Sequence, residues 1–300
     1  MNRYQRLMQR IEAGERILID GGTGTEIERR GVPQLENAWN GGGALSHPEV
    51  LREVHEDYLQ LGAELVISNN FATHWYALAD AGETDRFEAY NRRGVELARE
   101  ARERTGKADA LVAAGISSWS WTGNHPALED LQSAAEKQVA FLADAGAELI
   151  ILEMMIDIDK MTALLATARA TGLPVWVGFT CDAPHDGRVL LRNGEPLVDA
   201  LAVAAAGGAD LVAIMHTEVE YIDACLDEVA SHWSGPFGVY AHSGVFEGDR
   251  MSFDSTISPE DYCTYARGWL DRGARVIGGC CGIEPRHIKQ LAGVVAEYRD

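Results

Sequence analysis

The chain alternates short apolar runs with longer segments of helical periodicity. The apolar runs lie at residues 17–20, 64–68, 111–116, 148–153, 174–179, 210–215, 237–240 and 276–277. Each is nearly continuous rather than alternating, the pattern of a strand covered on both faces in a parallel sheet. Between them, helical spacing predicts helices over 7–13, 48–61, 87–104, 128–145, 157–171, 199–206, 222–231, 259–272 and 285–298. In 48–61, for example, Leu51, Val54, His55, Tyr58 and Leu59 fall on neighbouring turns. Eight strand-then-helix units in 300 residues predict an α/β fold, a (β/α)8 TIM barrel. An open doubly wound sheet is the second choice. No linker or low-complexity stretch divides the units, so residues 1–300 are expected to form a single domain.

In such a barrel the chemistry gathers at the C-terminal ends of the strands. Those ends carry Asp20, Asn69 and Asn70, Ser117, Glu153, Thr180, His216, His242, and Cys280 with Cys281. Adjacent thiols followed by a glycine suit a soft or borderline metal, and two thiols plus an imidazole with one open position is a known catalytic zinc arrangement. We expect Cys280, Cys281 and His216 as metal ligands. His242, on the next strand, is an alternative third ligand or a partner that orients the first. Cys181 is a further option, whereas Cys225 and Cys263 fall in helices and read as core.

Glu153 is expected to be catalytic or to meet a substrate ammonium, unless an ion pair on the rim absorbs it. Residues Gly21, Gly22, Thr23, Gly24 and Thr25 form a glycine-rich loop after the first strand. It lacks the lysine of a phosphate-binding loop, and its N–H groups suit a carboxylate equally well. Trp75, Tyr76, Trp119 and Trp121 follow strands two and three, where aromatic faces attract sulfonium or quaternary ammonium groups or simply pack the loops. His55, inside a helix, is expected to bond a neighbouring backbone group or carboxylate.

The formal net charge is −20, with 46% hydrophobic and 24% charged residues. This argues against nucleic acid or an anionic membrane as partner. No apolar run approaches the roughly 20 residues that span a bilayer, and the polar start Met1-Asn2-Arg3-Tyr4 has no apolar signal core. Five cysteines, an odd number, point to free thiols and a cytoplasmic location. A homo-oligomer is compatible with this composition.

Several motifs together resemble one family, the zinc-dependent homocysteine S-methyltransferases. Asp20-Gly21-Gly22-Thr23-Gly24-Thr25-Glu26 is similar to the family's opening motif, and Glu28-Arg29-Arg30-Gly31 continues it. Pro48 through His55, Tyr58, Gly62-Ala63, Asn69 and Glu153 match further positions. Gly278-Gly279-Cys280-Cys281-Gly282, with Pro285, His287 and Ile288, is the strongest match. The resemblance implies a (β/α)8 barrel and zinc held by cysteines that include the adjacent pair. It implies a small-molecule thiol acceptor, homocysteine-like, and a sulfonium or quaternary ammonium methyl donor. Asp20, Gly21, Gly22, Thr23, Thr25, Asn69 and Glu153 would bind the acceptor, with Glu153 and His242 as catalytic candidates. Where the family has Asn-Cys after strand six, this chain has Met215-His216. Where the family has Asn-Ser-Gly after strand seven, it has His242-Ser243-Gly244. An imidazole in place of the third thiolate makes a Zn²⁺ site neutral rather than singly negative. Two other functions fit a His-Cys-Cys cluster: a zinc hydrolase or lyase using a metal-bound water, and a thiol-based sensor.

Overall fold

A computed structural model describes residues 1–247, 250–253 and 256–298, without the side chains of residues 245–247, 250 and 251. The strands are β1 (Ile17–Leu18), β2 (Leu65–Ser68), β3 (Leu111–Ile116), β4 (Leu149–Met155), β5 (Val175–Phe179), β6 (Leu211–Glu218), β7 (Phe237–His242), β8 (Val245–Glu247), β9 (Arg250–Ser252) and β10 (Val276–Ile277). The helices are α1 (Arg3–Glu12), α2 (Thr23–Arg29), α3 (Gly43–Ser46), α4 (Pro48–Gln60), α5 (Trp75–Asp80), α6 (Phe87–Thr105), α7 (Leu128–Ala145), α8 (Ile158–Arg169), α9 (Leu197–Ala206), α10 (Ile222–His232), α11 (Pro259–Asp271) and α12 (Pro285–Glu297).

Eight strands pair in parallel in the order β1-β10-β7-β6-β5-β4-β3-β2. A parallel bridge from Ile19 to Leu65 joins the two ends. Hydrogen bonds from Asp20 N to Leu65 O at 3.2 Å and from Glu64 N to Leu18 O at 2.8 Å complete it. This is the (β/α)8 barrel expected from the apolar runs. Every described residue of β3, β4 and β5 is buried. That double-sided burial explains why these strands read as continuous apolar stretches rather than alternating ones.

Two packed zones follow. Inside the barrel, Ile17, Ile19, Leu65, Leu111, Leu149, Ile151, Trp176, Leu211 and Met215 stack against one another. Outside it, strand residues such as Val66, Val112, Ile150, Val177, Val212 and Val239 meet the apolar faces of the surrounding helices. The lower end of the barrel is stoppered by α1, whose Leu7 and Ile11 join the interior cluster. Tyr4 on the same helix accepts a hydrogen bond from Trp176 Nε1 at 3.2 Å.

Some boundaries differ from the sequence reading. Helix α1 begins at Arg3, four residues before the predicted start. Asn2 and Gln5 form a reciprocal cap, Gln5 N donating to Asn2 Oδ1 at 2.8 Å and Asn2 N to Gln5 Oε1 at 3.0 Å. Strand β6 runs to Glu218 and β7 to His242, past their apolar cores, because polar residues there still pair. The β8–β9 hairpin, an antiparallel pair between β7 and α11, was not predicted.

The loop after β10 depends on glycine. Gly282 has a φ of +77°, and a Cβ there would collide with the carbonyl of Ser243. Gly268, within α11, has nothing within 4 Å of where its Cβ would stand. We therefore expect Gly282→Ala to lower unfolding free energy by about 2 kcal/mol or more. Gly268→Ala should raise it by about 0.8 kcal/mol. Urea unfolding of the two variants checks both signs.

Candidate active site

Two strands change course at the top of the barrel. In β4, Leu152 pairs with Val177 but Met155 pairs with Phe179, so one extra residue bulges out. In β6, Met215 pairs with Tyr240 and Glu218 with His242, again one residue too many. The bulges place Met154 at φ +58° and His216 at φ +45°, conformations that side chains with a Cβ rarely adopt. Such bulges re-aim side chains beside active sites. Here they set Glu153 and His216 at the mouth of the barrel. The β6 bulge is held from outside: Thr180 Oγ1 and Thr217 Oγ1 both donate to Met215 O at 3.0 Å.

The cysteine loop is held by its backbone. Cys280 N donates to Ala241 O at 2.9 Å, Ser243 N to Cys281 O at 2.9 Å, and Ile283 N to Cys280 O at 3.0 Å. The thiols lie 3.8 Å apart, and Cys280 Sγ is 3.5 Å from His216 Nδ1. One donor atom from each of His216, Cys280 and Cys281 falls within 4.8 Å of the others. Around a tetrahedral divalent metal at ordinary bond lengths, sulfur–sulfur and sulfur–nitrogen edges are about 3.8 and 3.6 Å. The donor set therefore fits such an ion. Burial first, then the neighbouring His242 and Arg192, hold the His216 imidazole well below its ordinary pKa, so it is neutral, the ligating form. Contact with Cys281 and then burial push the Cys280 thiol upward, which a bound cation would reverse.

The carboxyl groups come next. Asp20 is buried, and its Oδ2 accepts from Ile67 N at 2.7 Å. Glu153 is 8% exposed and rests over Gly115, where a Cβ would strike its carboxylate. Burial pushes Glu153 up to about 8. Asp20 is raised too, by burial and by Glu153. Burial thus makes both acids resist ionisation in the ligand-free chain, and Glu153 adds to the effect on Asp20.

These groups line one cavity of about 1340 Å³, ample for two small molecules. Asp20, Gly21, Gly22, Thr23, Thr25, Asn69, Glu153, His216, Cys280 and Cys281 all reach its wall. Part of the glycine loop is also committed to the cysteine loop. A Cβ on Gly22 would stand 2.6 Å from Cys280 O. Thr25 Oγ1 donates to Gly22 O and accepts from Gly282 N, each at 3.1 Å. Asn69 Nδ2 donates to Asn40 O at 2.8 Å.

His242 stands apart from the cavity wall. It is buried with its ring 4.3 Å from that of His216 and its Nε2 3.6 Å from Glu218 Oε1, too long for a hydrogen bond. Cys181 meets Cys225 rather than the His216–Cys280–Cys281 cluster, and Cys225 and Cys263 are buried in their helices as expected. His55 corrects the sequence reading. It is completely buried, and neither ring nitrogen has a hydrogen-bond partner; burial lowers it to about 4.

Trp119 and Trp121 line the cavity, but Trp75 packs edge-on against Phe87 instead. The sequence reading missed Trp39 and Phe71. With Trp121 they form a triangle, their ring centroids 6.1 to 6.5 Å apart. The one signal for Trp39 was its place before the run Asn40-Gly41-Gly42-Gly43. Glu28, Glu36, Asp182, Glu218 and Glu284 add negative charge to the wall. The cavity's Arg29 and Arg192 are already engaged, Arg29 with Glu26 and Arg192 with Asp182 and Glu218.

A family model described as homocysteine S-methyltransferase matches residues 17–295. The chain belongs to the homocysteine S-methyltransferase family. Homocysteine S-methyltransferase 4 of Zea mays is 30% identical over 320 residues, covering 96% of this chain and 92% of that protein. A selenocysteine Se-methyltransferase of Brassica oleracea var. italica is 28% identical, covering 93% and 89%. The metallated form of the Escherichia coli homocysteine methyltransferase MmuM superposes with a TM-score of 0.80 at 27% identity, covering 96% of this chain and 99% of that one. As a member of this family the chain is an S-methyltransferase, with His216, Cys280 and Cys281 as its candidate metal centre. Among the described residues no helix is long and apolar enough to cross a membrane.

The buried Glu153 has a consequence for stability. Below its ordinary 4.5, folded and unfolded chains both hold the proton and the contribution of this group is fully present. Between 4.5 and about 8 the unfolded chain releases its proton while the folded chain keeps it, so stability is lost as pH rises. Relative to wild type, Glu153→Gln should gain stability across that window, by at most about 1.4 kcal/mol per pH unit. Urea unfolding of both metal-free proteins at several pH values measures it; parallel pH profiles would contradict the assignment.

Proposed function

We propose that this enzyme transfers a methyl group from a sulfonium or quaternary ammonium donor to the thiol of homocysteine, with zinc held by His216, Cys280 and Cys281. The observation that carries this reading is the sharing of one cavity by a thiol–imidazole cluster, two buried carboxyls and an aromatic triangle. When bound, zinc supplies a Lewis acid that keeps an acceptor thiol deprotonated at neutral pH.

The chain's own residues do the rest. Glu153 and Asp20 face the amino-acid end of the acceptor, and an arriving ammonium supplies the positive charge that lets Glu153 ionise. The glycine loop, with Thr23, and Asn69 border the same end. Trp39, Phe71 and Trp121 offer their faces to the cationic donor. The acidic wall favours a positive ligand, and both arginines of the cavity are occupied by protein carboxylates. His242 rests on His216 and acts by orienting that ring rather than by touching substrate.

Methyl transfer forms a bond from the acceptor sulfur to the methyl carbon. It breaks the donor's sulfur–carbon or nitrogen–carbon bond, whose electron pair stays on the leaving atom. An anion and a cation become two groups of lower charge. A cavity that excludes water favours such charge annihilation, because solvation no longer stabilises the separated ions. Gly21, Gly22 and Thr25 contribute indirectly, by pressing the first loop against the cysteine loop.

Two outcomes are expected. The reduced protein should carry close to one zinc per chain. His216→Ala and Cys280→Ser should each lose it, and chelation should abolish thiol methylation until zinc is returned. Undiminished methylation by metal-free protein would refute the zinc assignment. Separately, Trp39→Leu should raise the KM for the donor on the order of tenfold while leaving the KM for homocysteine unchanged, as initial-rate kinetics with each substrate varied will show.

A further inference from the structure

The uppermost layer of the barrel interior contains two glycines that make room for polar side chains. Gly115 of β3 leaves space for the carboxylate of Glu153. Gly178 of β5 does the same for Tyr240, since a Cβ there would lie 2.6 Å from the Tyr240 hydroxyl and 2.8 Å from Met215 Cγ. Glu153 has a role in the reading above; Tyr240 has none. Yet Tyr240 borders the cavity, is 3% exposed, and its hydroxyl is sealed from water without any hydrogen-bond partner. Unpaired buried hydroxyls are rare and ask for an explanation. The ionisable groups that bear on it electrostatically are Glu153, Cys280 and Asp20, all of them acceptors once ionised. A phenol among them is the donor in the group.

We propose that Tyr240 is a positioning residue for acceptor selection. Its hydroxyl donates a hydrogen bond to the Glu153 carboxylate in the acceptor complex, fixing that carboxylate against the substrate's ammonium. In the ligand-free chain burial favours the neutral carboxyl of Glu153, a weaker acceptor than the carboxylate. The interaction is charge-assisted only when an amino group is bound, so it discriminates between thiols with and without one. The inference rests on the reading of Glu153 as the ammonium's partner.

The test compares homocysteine with the thiol acid of the same carbon skeleton that lacks the amino group. Tyr240→Phe removes a single oxygen and keeps the ring. It should raise the KM for homocysteine on the order of tenfold, with kcat and melting temperature unchanged, and leave the KM for the desamino thiol as it was. Thermal stabilisation by each acceptor, which reports affinity without turnover, should divide the same way. Tyr240→Met, which fills a similar length without an O–H donor, should reproduce the pattern, and it decides the matter if Tyr240→Phe does not fold. A wild-type enzyme that treats the two thiols alike would overturn the Glu153 reading and this inference with it. A wild-type enzyme that prefers homocysteine, with a Tyr240→Phe variant that keeps the whole preference or loses equally on both thiols, would overturn the inference alone.

Discussion

The site depends on a seam between the first and last strand-to-helix loops. Strands β1 and β10 are only two residues long, so the sheet ladder alone secures little there. The loops take over. Gly279 N donates to Asp20 O at 3.0 Å, Gly22 N to Ile283 O at 2.9 Å, and Gly282 N to Thr25 Oγ1 at 3.1 Å. These bonds close the barrel and fix Cys280 and Cys281 relative to the glycine loop in one stroke. Glycine is required because the two backbones touch; side chains on Gly21, Gly22, Gly278 or Gly279 would meet carbonyls or Ile19 and Ile283.

Against that fixed seam the opposite wall is strained. His216 and Met154 hold left-handed backbone conformations on two bulges, each at a cost of about 1–3 kcal/mol. The surrounding parallel ladder and the threonine hydroxyls on Met215 O over-determine the geometry. The strain sits where His216 must leave the regular strand direction to reach the thiols. With zinc bound as proposed, a His-Cys-Cys set is neutral where three thiolates would be singly negative. In an already acidic cavity it avoids adding another negative charge beside Glu153 and Asp20, whose ionisation would otherwise be still harder.

Much of this was legible in the chain. Strands buried on both faces are apolar throughout, so the barrel could be counted from eight runs. The Gly278–Gly282 motif announced close backbone approach and thiol chemistry together. His216 stood out because it occupies a strand end where the family has cysteine. Other features were hidden for physical reasons. A bulge adds one residue without a change in hydrophobicity, so nothing marked the extension of β6 beyond Met215. The aromatic triangle draws Trp39, Phe71 and Trp121 from three separate loops, and no local pattern links them. His242 lies at a strand end like the others, yet its side chain packs behind His216, and sidedness of that kind depends on bulge register. His55 looked like a residue with a nearby partner, but helix packing seals it completely.

One consequence follows from the stopper at the lower end. With α1 filling the base of the barrel through Leu7, Ile11 and the Tyr4–Trp176 contact, packing enters from below and the cavity lies at the opposite end, at the strand ends. The thiol-binding cluster and Glu153 lie at the strand ends, and the aromatic triangle is carried on loops above them, Trp121 being partly open to solvent. In the proposed arrangement the acceptor therefore rests on the strand ends and the donor on the loops above it. The floor helix thereby supports the barrel interior from below without lending a residue to the cavity.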